Sequence, residues 1–119
     1  MTPNHDFQNT RFFRMLGFAR RAGRLAFGAA LTLDAVRHGR ARLVILSAHA
    51  SAGTKKQICN KCTFYNVPLC TVNTPPEELA SFLGKDASVV SVAVLDERFA
   101  SEILKSSGKE GSEQSERGI

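Results

Sequence analysis

Apolar residues recur along the first half of the chain with the 3.6-residue period of amphipathic helices. Over residues 9–22, Phe12, Leu16 and Ala19 share one side of a helical wheel, and arginines occupy the other side. The same period predicts helices over residues 29–38 and 54–66. Gly23 and Gly39 supply the stops of the first two, and Thr54 with Gln57 forms a capping box for the third.

Shorter apolar runs between these segments predict strands. The run over residues 41–46 is too short for a buried helix and continuous enough for a strand covered on both faces. Further strands are predicted over residues 24–27, 67–72 (starting after Pro68) and 89–95. Thr74 and the prolines after it predict the start of a fourth helix that ends at Gly84, and Asp96 can cap a last helix that reaches Leu104. This alternation predicts an α/β fold, a three-layer α/β/α sandwich with a small mixed four-stranded sheet.

The length of 119 residues fits one domain. We expect that domain to span residues 10–104, with a flexible N-terminus over residues 1–9 and a disordered tail over residues 105–119, which are rich in Ser, Gly, Glu and Lys. No apolar run approaches a membrane span of about 18–20 residues, and the first residues lack a signal-peptide core. We therefore expect a cytoplasmic protein whose three cysteines are reduced thiols.

Charge divides the chain into a basic and an acidic half. Residues 1–61 contain eight Arg and three Lys against two acids, a surplus of nine positive charges. Residues 62–119 contain five basic and nine acidic side chains, a deficit of four, which leaves the net charge at +5. A polarised basic surface attracts polyanions, of which nucleic acid is the commonest in the cytoplasm. Solubility alone is the alternative explanation of the charge.

Motifs for catalysis or cofactor binding are weak. Gly23 and Gly28 have the spacing of a phosphate-binding loop, but Ala29 and Ala30 stand where the loop needs Lys and Ser or Thr. Cys59 and Cys62 form a single CxxC pair inside a predicted helix, where cysteine packs as a small hydrophobe rather than as a zinc ligand. We expect no catalysis, no metal and no cofactor.

The order of several short motifs resembles a known family. The stretch LGFARRAGRL over residues 16–25, then Gly28, then AVRHGRARLVIL over residues 35–46 is similar to the L-seven-Ae, L-thirty-e, S-twelve-e and growth-arrest superfamily of ribosomal proteins, and most like its short bacterial members. Tyr65 to Pro68, Gly84 with Lys85, and the strand over residues 89–95 continue the pattern. The similarity covers about residues 10–104.

This resemblance implies a non-catalytic protein that binds structured RNA, typically a kink-turn, through the second helix. The family's RNA binders carry Asn, Glu and Lys on that helix where this chain has Ala30, Leu31 and Asp34, so we expect phosphate contacts with little kink-turn preference and an acid beside the phosphates. The candidate RNA-binding residues are Arg21, Arg24, Gly28, Ala29, Ala30, Leu31, Asp34, Arg37 and Lys85. Expected partners are structured RNA, including ribosomal RNA or the ribosome, and neither DNA nor a membrane.

Two alternatives remain. One is a protein-interaction module of the same fold that inserts Ala30 and Leu31 into a partner's apolar groove. The other is the substrate-binding part of an RNA-modifying enzyme, which the lack of a following catalytic segment disfavours.

Overall fold

The computed structural model describes residues 3–84 and 88–107. Five helices and four strands alternate along the described chain. They are α1 (Pro3–Arg21), β1 (Leu25–Phe27), α2 (Ala29–Arg37), β2 (Leu43–Ser47), α3 (Ala52–Tyr65), β3 (Leu69–Val72), α4 (Pro76–Phe82), β4 (Ser91–Val94) and α5 (Glu97–Ser107).

The four strands form one mixed sheet in the order β1-β4-β2-β3. Strand β4 is antiparallel to both of its neighbours, with Val92 opposite Phe27 on one side and opposite Ile45 on the other. Strands β2 and β3 are parallel, and Ile45 lies opposite Cys70. Helices cover both faces, which confirms the predicted α/β/α sandwich.

Alternate residues of the central strands pack into two separate hydrophobic cores, because successive side chains of a strand point to opposite faces of the sheet. On one face, Leu43 and Ile45 pack with Leu16 of α1, Leu79 of α4 and Ile103 of α5. The other face is covered by α2 and α3, and its buried residues include Val44, Leu46, Val36, Ile58 and Cys62. A strand buried on both faces must be apolar throughout, which explains the uninterrupted run in β2.

Two helix starts differ from the prediction because the capping residues lie elsewhere. The N-cap of α3 is Ser51, whose Oγ accepts a hydrogen bond from Thr54 N at 3.2 Å, so the helix begins at Ala52 rather than at Thr54. The N-cap of α4 is Pro75, whose carbonyl accepts from Leu79 N at 2.9 Å. Thr74 is buried, and its carbonyl accepts a hydrogen bond from Ser47 Oγ at 2.6 Å. In contrast, Asp96 caps α5 as predicted, since its Oδ1 accepts from Arg98 N at 2.8 Å.

Helices α1 and α5 extend beyond the expected domain boundaries. Helix α1 begins at Pro3, so most of the segment expected to be flexible is helical, and α5 continues through Ser107, three residues into the expected tail. Residues 108–119 and Lys85 lie outside the described residues. The domain boundaries at residues 10 and 104 stay a prediction.

Candidate nucleic-acid interface

The exposed side of α2 brings several of the candidate residues together. Ala30, Leu31 and Arg37 are exposed and Asp34 is half-buried, and their spacing places them along one side of the helix. Leu31 keeps 55% of its surface exposed. The opposite side holds the buried residues Thr32, Ala35 and Val36. We call this exposed side, from Gly28 through Arg40, the α2 surface.

Two hydrogen bonds fix the start of α2 against the sheet. Gly28 has a φ of +94°, a conformation that favours glycine, and its N–H donates to the carbonyl of Ser91 at 2.8 Å. Ser91 Oγ in turn donates to Thr32 Oγ1 at 2.9 Å, and both residues are fully buried. Because Gly28 has no side chain to cap the helix, the backbone N–H groups of the first turn remain available to an anion.

The carboxylate of Asp34 does not lie free on this surface. Its Oδ2 is 3.1 Å from Arg40 Nη2, and its Oδ1 is 3.1 Å from His38 Nδ1. The sequence predicted an acid beside bound phosphates, and the structure adds a guanidinium to this acid, because the loop after α2 returns Arg40 to the helix. Asp34 therefore holds a guanidinium on the α2 surface, in a pair about half exposed to solvent.

Arg37 supplies the unpaired positive charge of this surface. It lies in the last turn of α2, and no carboxylate approaches it within 4.0 Å among the side chains described. With a rise of about 1.5 Å per residue, the nine residues of α2 separate Arg37 from Gly28 by roughly 13 Å. The α2 surface thus offers backbone donors at one end and arginines at the other.

The remaining candidates lie apart from the start of α2. Arg24 is at the opposite end of β1, where its carbonyl accepts from Leu95 N at 2.8 Å and its Nε lies 3.8 Å from Asp96 Oδ2. Arg21 ends α1, and its guanidinium lies 5.4 Å from the centroid of the Phe18 ring. The structure therefore groups residues 28–31, 34 and 37 and separates Arg21 and Arg24 from them.

A lysine absent from the candidate list lies at the same edge of the sheet as Gly28. Ser47, at the end of β2, donates its N–H to the carbonyl of Val90 at 2.8 Å. Val90 directly precedes Ser91, which accepts the hydrogen bond from Gly28, so the ends of β1 and β2 lie at the same edge of the sheet. Lys55 in the first turn of α3 donates to the carbonyl of Ala48 at 3.2 Å, and Lys56 beside it is exposed. No local signal in the sequence marks Lys55, because the strand order, in which β4 lies between β1 and β2, decides which loops share this edge.

The cysteines lie on different sides of the sheet. Cys62 packs between α3 and the sheet, whereas Cys70 belongs to the core on the opposite face. Burial, with a smaller contribution from Cys59, raises the pKa of the Cys62 thiol from 9.0 to about 12. Within residues 3–84 and 88–107, no three His, Cys, Asp or Glu side chains gather in a way that could hold a metal ion. None of the described helices is long and apolar enough to cross a membrane.

Comparison with known proteins yields relatives along most of the chain. Over 93 residues it is 39% identical to the RNA-binding protein YlxQ of Bacillus subtilis, covering 78% of this chain and 91% of that protein. It is also 31% identical over 76 residues to the large ribosomal subunit protein eL30 of Methanosarcina mazei, covering 64% of this chain and 70% of the relative.

Solved structures share the fold. A Bacillus halodurans protein of unknown function superposes with a TM-score of 0.77 at 31% identity, covering 83% of this chain and 98% of that one. The Giardia lamblia 15.5kD RNA binding protein gives a TM-score of 0.75 at 15% identity, with 94% and 92% of the two chains covered. The family described as ribosomal protein L7Ae/L30e/S12e/Gadd45 matches residues 10–104, which confirms the resemblance, and the chain belongs to this family.

Proposed function

We propose that the chain is a cytoplasmic, non-catalytic RNA-binding protein that contacts structured RNA, including ribosomal RNA, through the α2 surface. The observation that carries the proposal is the α2 surface, with uncapped backbone donors at the start of the helix and with Arg37 and the Asp34–Arg40 pair at its other end. Helix N-termini and arginines are the groups that proteins commonly direct at phosphate oxygens. The names of the relatives from Bacillus subtilis and Methanosarcina mazei support an RNA partner.

Recognition of phosphates dominates over recognition of bases in this proposal. Ala30 and Leu31 are exposed but have no side-chain donor or acceptor for a base edge. Phosphate contacts fix position and orientation but carry little sequence information. Preference for a kink-turn over a plain duplex is therefore weak, less than about tenfold, which is about 1.4 kcal/mol.

The experiment is a titration of the full chain with two RNAs of equal length, a kink-turn hairpin and a plain duplex. Wild-type protein binds both, and Arg37→Gln weakens both and lowers the steepness of log K against log salt by about one unit. Arg98→Gln is the matched control, because Arg98 is an exposed helical arginine on α5, away from the α2 surface. Failure of the wild type to bind either RNA at low salt would overturn the proposal.

Selectivity is tested by returning polar side chains to the first turn of α2. The double change Ala30→Asn and Leu31→Glu should raise affinity for the kink-turn but not for the duplex, while Asp34 and its pair with Arg40 stay in place. The control, Gln57→Glu with Thr63→Asn, makes the same charge change at exposed positions of α3. Strong kink-turn preference in the wild type would mean that other residues recognise the kink.

A protein partner is the second candidate function, and the exposure of Leu31 favours it. A leucine with 55% of its surface in solvent, next to the exposed Ala30, offers a small apolar contact. Leu31→Ser separates the two functions. It leaves RNA affinity nearly unchanged if phosphate contacts dominate, and it abolishes complex formation if Leu31 fills a partner's groove.

A further inference from the structure

A second strongly basic surface lies on α1, away from the α2 surface. Arg11, Arg14, Phe18 and Arg21 follow one another at intervals of three, four and three residues and are all exposed, so they form one row along the helix. We call this row the α1 stripe. At a rise of about 1.5 Å per residue, the α1 stripe extends roughly 15 Å along the helix. The opposite side of α1, with Phe12, Leu16 and Ala19, is buried in the core.

The sequence around the α1 stripe is poor in acids. No Asp or Glu occurs in the sequence from Phe7 to Leu33. Among the side chains that the structure describes, none of the three arginines has a carboxylate within 4.0 Å, although ion pairs occur elsewhere, at Arg24, Arg40 and Arg42. A row of unpaired cations on a folded surface is available to an anionic partner.

Phe18 gives the stripe an aromatic element. It keeps 43% of its surface exposed, and the guanidinium of Arg21 lies 5.4 Å from its ring centroid. This distance is within the range of a cation–π contact, which orients Arg21 while leaving N–H groups for a phosphate. Arginines along a backbone path with an exposed aromatic ring are the combination by which proteins hold single-stranded nucleic acid.

An anionic membrane fits this surface less well than RNA does. A helix that lies in a membrane interface needs a free apolar face to insert, and the apolar face of α1 is already buried against the protein core. Phe18 alone remains as an exposed large hydrophobic residue on the described part of α1.

We infer that the α1 stripe is a second RNA-binding surface. Arg11, Arg14 and Arg21 contact the phosphodiester backbone, and Phe18 stacks on an unpaired base. The inference rests on the proposed function and adds a surface to it. Helices α1 and α2 cover opposite faces of the sheet, so an RNA that contacts both must pass around the outside of the sheet. The stripe therefore binds an unpaired segment that extends from the structured part held by α2.

The test compares two charge-matched variants by titration with a 30-nucleotide oligouridylate and a 20-base-pair RNA duplex. Changing Arg11, Arg14 and Arg21 together to Gln removes three positive charges from the stripe. The control changes Lys61, Arg98 and Lys105 to Gln, which removes the same charge from α3 and α5. All six positions are at least partly exposed, and melting monitored by circular dichroism checks that both variants are folded.

The stripe variant is expected to lose at least about tenfold in affinity for oligouridylate, with a fall of about two in the salt slope, since each phosphate contact on a single strand contributes about 0.7. The control variant loses less than about threefold. Phe18→Leu, which keeps an apolar side chain but removes the ring, should weaken oligouridylate binding by about fivefold or more and leave duplex binding unchanged.

Equal losses in the stripe and control variants would overturn the inference, because net charge alone would then account for binding. An intact oligouridylate affinity in the stripe variant, together with weaker duplex binding in Arg37→Gln, would overturn it while leaving the proposed function standing. Absence of wild-type binding to any RNA would instead remove the proposed function. Competition by polyglutamate as strong as by oligouridylate would assign the stripe to acidic proteins.

Discussion

Asp34 is the acidic side chain of α2, and both of its carboxylate oxygens have a basic neighbour within 3.1 Å. The Arg40 guanidinium gives the pair a net charge near zero. An RNA phosphate that approaches α2 therefore meets a neutral dipole at this point instead of an acid. Two unit charges about 6 Å apart interact by roughly 0.7 to 3 kcal/mol for effective dielectrics between about 80 and 20, which is the repulsion that an unpaired Asp34 would add and that its pairing with Arg40 offsets.

The pair can be tested with Asp34→Asn, Arg40→Gln and the double variant. Because the pair is exposed, its coupling in the free energy of unfolding should be about 0.2 to 1 kcal/mol by a denaturation cycle. In RNA titrations the single changes should act in opposite directions, since Asp34→Asn exposes a cation and Arg40→Gln exposes an acid. The double variant should keep the wild-type salt slope. Changes of the same sign in both single variants would contradict the pairing.

Cys62 offers a second test at the residue scale. Its pKa is raised from 9.0 to about 12, first by burial and then by Cys59, so the folded state holds the thiol proton more tightly than the unfolded chain. The stability that this group contributes is complete below pH 9 and is lost as the pH rises towards 12. Between pH 9 and pH 10 the loss is about 1 kcal/mol.

The measurement is urea unfolding of the wild type and Cys62→Ala between pH 8 and pH 10. The variant is less stable throughout because it leaves a cavity, but its stability should fall less steeply with pH. The two proteins differ only at residue 62, so the difference in slope reports the thiol. Parallel slopes would mean that Cys62 is not shielded from water.

At the scale of the elements, local patterns were sufficient to predict the order and type of every helix and strand. Strand β2 was predictable because a short apolar run without alternation fits only a strand covered on both faces. The starts of α3 and α4 could not be predicted from local patterns. For α3, Ser51 and Thr54 are both good N-caps, and the choice between them depends on where the chain leaves β2. For α4, the contact of the Thr74 carbonyl with Ser47, 27 residues away, determines the start, and no local pattern encodes it.

The α2 surface likewise combines features that local patterns determine with features that depend on distant contacts. The exposed side of α2 follows from helical periodicity, which places Ala30, Leu31 and Arg37 along it. The loop after α2, which brings Arg40 back to Asp34, was not predictable, because it depends on how the chain turns at Gly39. Lys55 was missed for a similar reason, since no local pattern encodes the strand order that places the ends of β1 and β2 at the same edge of the sheet.

Charge is distributed unevenly over the whole molecule. The basic half of the sequence supplies α1, α2 and α3, while the acidic half supplies α4 and α5. Glu77 and Glu78 lie exposed in the first turn of α4. Helix α4 packs on the same face of the sheet as α1, and the field of its acids extends to an approaching RNA at low salt.

Neutralising both acids in Glu77→Gln with Glu78→Gln should therefore strengthen RNA binding without changing its selectivity. At roughly 15 Å in water each charge contributes about 0.3 kcal/mol, so the pair should raise affinity about two- to threefold at 0.01 M salt. Removal of acids from the first turn also weakens the helix, by about 0.3 to 1 kcal/mol for each residue.

Titrations of the kink-turn hairpin and the duplex at about 0.01 M and 0.5 M salt check the prediction. The gain should be equal for both RNAs and should disappear at high salt, where the screening length falls to only a few ångströms. A gain that persists at high salt, or that differs between the RNAs, would mean that the start of α4 contacts RNA directly instead of acting through the field of the whole molecule.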